Sequence, residues 1–64
     1  MSKNELGEVI FEFTQVGTIM RVTAVHVETG KEAVIQGPAN YSQETLKQNA
    51  LRKLRYVLEK KQTS

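Results

Sequence analysis

The sequence predicts an α+β fold: a three-stranded antiparallel β-meander packed on one face by a C-terminal helix, in the order βββα. Three observations predict it. Apolar and polar side chains alternate with period two from Glu8 to Gln36, glycine-bearing turns interrupt that alternation twice, and beyond Pro38 the apolar spacing becomes helical. Sixty-four residues hold one domain, 1–64, with one thin core, because a chain of about 60 residues buries only about 60% of its unfolded surface. Within it, residues 1–6 are expected to fray, 7–36 to form the meander and 42–61 the helix.

The first strand is read as Gly7–Gln15, where Val9, Phe11 and Phe13 share one face and Ile10, Glu12 and Thr14 the other. Val16-Gly17 follows as a two-residue hairpin turn, glycine supplying a positive φ. Pairing Gln15 with Thr18 sets Phe13 opposite Met20, Phe11 opposite Val22 and Val9 opposite Ala24. A slip of one residue would instead turn Arg21 into the core, burying a guanidinium with no partner. The same frame sets Glu12 against Arg21 on the outer face.

Val27-Glu28-Thr29-Gly30 reads as a four-residue loop ending in a left-handed glycine, so that His26 pairs with Lys31, Ala24 with Ala33 and Val22 with Ile35. The third strand, Lys31–Gln36, is expected to stop at Gly37-Pro38. Ser42 is the expected N-cap, Glu44 complements the dipole in the first turn, and Tyr41 is placed to staple onto Leu46. At about 100° per residue Leu46, Ala50, Leu51, Leu54, Val57 and Leu58 lie in one arc, the stripe of a helix resting on a sheet. Lys47 falls inside that arc and is expected to snorkel from its rim.

Composition excludes several classes of function. Hydrophobic residues make up 39% and charged residues 25%, a globular balance. Cysteine is absent and His26 is the single histidine, so neither a disulfide framework nor a zinc cage can reinforce the fold; tight packing or self-association must. No apolar run approaches the ~20 residues that span a membrane. Met1-Ser2-Lys3-Asn4-Glu5 lacks the apolar stretch of a secretory signal, so the expected location is the cytoplasm, without membrane contact.

Nucleophilic or general-base chemistry would rest on His26 alone, a histidine beside a hairpin whose neighbours Glu28 and Glu32 make an ordinary surface. The acids fall on outward strand positions, loops or helix ends, and no glycine-rich phosphate loop precedes the helix. The chain is therefore read as non-catalytic and without a cofactor.

Two surfaces remain as candidates. Ile10, Ile19, Val25 and Val34 lie on the outer face of the sheet, where no further element is available to cover them; this favours a protein partner or a second copy, against the plainer reading of scattered surface hydrophobes. The other is the basic end of the chain. Residues 1–41 carry Lys3, Arg21 and Lys31 against Glu5, Glu8, Glu12, Glu28 and Glu32, a net −2, whereas residues 42–64 carry six cations against Glu44 and Glu59, a net +4. Arg52, Lys53, Tyr56 and Lys60 could there hold phosphates and stack a base, against the plainer reading of a solvated helix face.

Gly7-Glu8-Val9-Ile10-Phe11-Glu12-Phe13, Glu28-Thr29-Gly30, Gly37-Pro38-Ala39 and Ala50-Leu51-Arg52-Lys53-Leu54-Arg55-Tyr56-Val57-Leu58 together resemble a family of short uncharacterised bacterial proteins, a domain of unknown function. That resemblance spans nearly the whole chain and implies the same meander and helix, with no established activity. The strand-strand-strand-helix order, with Ser42, Lys47, Ala50 and Leu51, is also similar to the second part of a double-stranded-RNA-binding domain. Gln43 and Glu44, however, stand where that family carries its phosphate-gripping lysines, and its first helix is missing.

Overall fold

The computed structural model describes residues 7–59 and has the predicted architecture: β1 (Val9–Val16), β2 (Ile19–His26) and β3 (Glu32–Pro38), followed by α1 (Gln43–Glu59). The strands form one antiparallel sheet in the order β1-β2-β3. The residues expected to fray, 1–6, and the expected last helical residues, Lys60 and Lys61, lie outside the described residues.

The inner face carries the alternation that the sequence required. Phe11 and Phe13 point toward the helix layer, and Val22, Ala24, Ala33, Leu46, Ala50 and Leu54 are buried between sheet and helix. Arg21 is exposed on the other face. Ala24 stands opposite Ala33 in the ladder, and Ala50 of the helix belongs to the same buried cluster. Small side chains on both layers allow the helix to lie close.

The first hairpin departs from the sequence reading. Val16 pairs with Ile19, Phe13 with Val22, Phe11 with Ala24 and Val9 with His26, a register two residues away from the expected one. The turn is consequently Gly17-Thr18, not Val16-Gly17. Gly17 has φ 61° and Thr18 is not among positive-φ residues, the pattern of a type II′ turn with glycine at its first central position. A turn centred on Val16-Gly17 would have put a β-branched valine where a mirror-image turn needs positive φ, at a steric cost that Gly17 avoids. Because the shift is even, every side chain keeps its face. Its consequence on the outer face is that Glu12 stands opposite Thr23, while Arg21 faces Thr14 and Gln36; the expected Glu12–Arg21 pair is not made.

The second hairpin follows the expected frame. The His26 N–H donates to the Lys31 carbonyl at 2.8 Å and the Gly30 N–H to the His26 carbonyl at 2.7 Å. β3 nevertheless runs on to Pro38, which lies opposite Ile19, and the Ala39 N–H extends the ladder to the Thr18 carbonyl at 2.8 Å. Proline fits because Ile19 and Pro38 form a non-hydrogen-bonded pair on an edge strand, so the missing N–H would have pointed away from β2.

The helix begins at its expected cap. The Thr45 N–H donates to Ser42 Oγ at 3.1 Å, and that hydroxyl donates in turn to Thr45 Oγ1 at 2.9 Å. Only a short connection separates Pro38 from Gln43, so the helix lands on β3 and β2 instead of crossing to β1. Its first turn presses close to the sheet: a Cβ on Gly37 would sit 2.8 Å from Leu46 Cδ2. Val9, Phe11 and Phe13 are therefore only partly covered, with Leu51, Val57 and Leu58 also half-buried at the margin of the core.

Candidate functional site

On the outer face, the ladder arranges side chains in rows across the three strands. Ile10, Val25 and Glu32 make one row, Glu12, Thr23 and Val34 the next, then Thr14, Arg21 and Gln36, and finally Val16, Ile19 and Pro38. Ile10 and Val25 are thus direct neighbours, with Val34 diagonal to Val25. Ile19 stands apart from them, beyond the Arg21 row, and groups with Val16 and Pro38. Sequence reasoning missed those two companions because both were assigned to turns. Ile10 is 47% exposed, Ile19 42% and Val34 38%, whereas Val25 on the central strand is half-buried. A recess of about 260 Å³ between Val16, Ile19, Arg21 and Gln36 opens beside the second group, and another of about 470 Å³ lies at the turn end of the sheet, lined by Ile19, Pro38 and Ala39 among others.

The helix presents its cations differently from one another. Arg52 and Arg55 are exposed. Lys53 Nζ donates to the Val34 backbone carbonyl at 2.9 Å, drawing that ammonium across the free edge of β3. Lys47 is half-buried, its Nζ 5.2 Å from the centroid of the Phe11 ring, a cation–π contact at the rim of the core. Tyr56 is 62% exposed. Lys60 lies outside the described residues. Sequence periodicity gave Lys53 a position on the helix flank, but its reach to the sheet edge depends on how the helix lies over β3.

His26 occupies the inner face and is only 6% exposed. Its Nδ1 and the Thr29 hydroxyl share a hydrogen bond of 2.8 Å, and the same hydroxyl accepts from the Lys31 N–H at 3.2 Å. The ring thereby ties the β2–β3 loop to the sheet. Its burial was readable from the alternation that buries Ala24, two residues earlier on the strand.

Among the described residues no group of three or more histidine, cysteine or carboxylate side chains is placed to hold a metal ion, and no helix is long and apolar enough to cross a membrane. No curated protein and no solved structure matches the chain, so the similarity to a double-stranded-RNA-binding domain has no support beyond the residues that suggested it. Residues 6–61, including all four elements, match the model of a protein family. With its meander, its capped helix and that match, the chain belongs to the family described as Domain of unknown function (DUF6898).

Proposed function

We propose that this chain is a non-catalytic protein-binding module of the cytoplasm that works through its open sheet. The observation that carries this reading is the contiguous group Ile10, Val25 and Val34 on the outer face, which no element among the described residues covers. Apolar side chains gathered on one open face gain by burial against a partner in a way that scattered ones do not. The two recesses described above contain Arg21 as their one charged side chain, a poor setting for paired acid and base groups. Nucleic-acid binding through Arg52, Lys53, Tyr56 and Lys60 is the weaker reading, because Lys53 already spends a donor on the Val34 carbonyl.

The absence of cysteine makes a direct test simple. A photo-crosslinker attached to Val34→Cys should yield a discrete protein adduct that disappears when Ile10→Asp is added. The same adducts from a crosslinker on Arg52→Cys, on the helix, would overturn the assignment to the sheet.

A further inference from the structure

We propose, going beyond the outer-face reading above and at a separate surface, that two copies of this chain join edge to edge: β1 pairs antiparallel with β1 of the other copy, about a two-fold axis at Phe11, to make one six-stranded sheet. The two edges of the sheet differ in a way that singles out β1. The edge of β3 is guarded, since Lys53 occupies its Val34 carbonyl at 2.9 Å and the strand ends in Gly37-Pro38; lysine and proline are standard defences of an exposed edge. β1 spans Val9–Val16 with neither residue in it, and among the described residues no strand lies beyond it.

The hydrogen-bond parity of β1 fixes which groups it offers. The Val27 N–H donates to the Glu8 carbonyl at 3.2 Å, which makes Glu8, Ile10, Glu12 and Thr14 the residues bonded to β2. Val9, Phe11 and Phe13 therefore direct both N–H and carbonyl outward. Centred on Phe11, a second β1 brings Phe11 to Phe11 and Val9 to Phe13 in hydrogen-bonded pairs, with Ile10 facing Glu12 on the outer side. The neighbouring registers are worse, since centring on Ile10 opposes Glu8 to Glu12. Centring on Glu12 opposes two carboxylates, and centring on Phe13 sets Phe11 against Gln15.

The second copy also supplies what the fold lacks. The helix covers β3 and β2 and leaves Val9, Phe11 and Phe13 half-buried; pairing at Phe11 brings the same three residues of another copy alongside, so that the two incomplete cores merge beneath one sheet. The layer is thin, with a smallest extent of 15 Å, and domains of this size commonly gain stability by oligomerising.

Sedimentation equilibrium on the full chain tests the proposal. The natural protein should weigh as a dimer, with amide exchange at Val9, Phe11 and Phe13 slowing as concentration rises. Chemical synthesis with N-methyl-Phe11 replaces the outward donor with a methyl group and keeps both rings; it should weaken dimerisation on the order of 100-fold or abolish it, while circular dichroism remains that of the folded chain. A monomer at millimolar concentration would overturn the proposal, as would an N-methylated chain of unchanged dimer mass. If that chain stays dimeric and Val34→Asp dissociates it, the outer face is the contact surface: edge pairing then fails while the protein-binding reading survives.

Discussion

At the scale of single residues, Gly37 and Gly17 show two different uses of a missing side chain. Gly17 supplies a left-handed φ of 61° at the first hairpin, whereas Gly37 makes room. A methyl at position 37 would meet Leu46 Cδ2 at 2.8 Å, and Leu46 is itself 1% exposed, so its side chain has little space into which it can step aside. Overpacking of this kind costs about 1–3 kcal/mol, partly offset by the ~0.4–1 kcal/mol that alanine removes from the entropy of the unfolded chain. Gly37→Ala should therefore destabilise by about 1–2 kcal/mol, read as a lowered midpoint in thermal unfolding. The sequence marks Gly37 only as a breaker beside a proline; that it lies under a leucine nine residues further on depends on where the helix lands. Lys53 is a similar case, since a helical wheel gives its flank but not the carbonyl within its reach.

At the scale of elements, the helix and the second hairpin were legible in detail and the first hairpin only in part. Ser42 fulfils the cap that its position suggested, through the Thr45 N–H, and Ser42→Ala should cost about 1 kcal/mol. Urea titration followed by circular dichroism would measure it as a lower midpoint at unchanged slope. The β1–β2 register was less accessible because the alternation of Val9, Phe11 and Phe13 against Met20, Val22 and Ala24 is satisfied equally by two frames that differ by an even number of residues. Only the turn separates them. Glycine in the first central position permits a type II′ turn at Gly17-Thr18, and valine there does not. The candidate outer surface inherits that shift: Ile10, Val25 and Val34 gather as neighbours, and Ile19 joins Val16 and Pro38.

For the whole molecule, stability rests on few side chains. The fully buried large residues are Leu46, Leu54 and Val22, while the net stability of a chain this long is roughly 3–10 kcal/mol. Leu54→Ala removes a 0%-exposed side chain at about 2–5 kcal/mol, a large share of that total. The variant should unfold at much lower urea or be largely unfolded at 37 °C, checked by the loss of dispersed amide resonances. The sheet-on-helix layout was fully legible because one face of every element is apolar; how far α1 sits to one side was not, since that offset follows from the short path between Pro38 and Gln43. The order of pairing has a consequence for kinetics. Each strand bonds only to its predecessor and successor along the backbone, so closing either ladder requires a small loop search and little entropy. Such a polypeptide is expected to reach its native arrangement rapidly, zipping from two reversals of direction, with the docking of the amphipathic segment as the step that locks it.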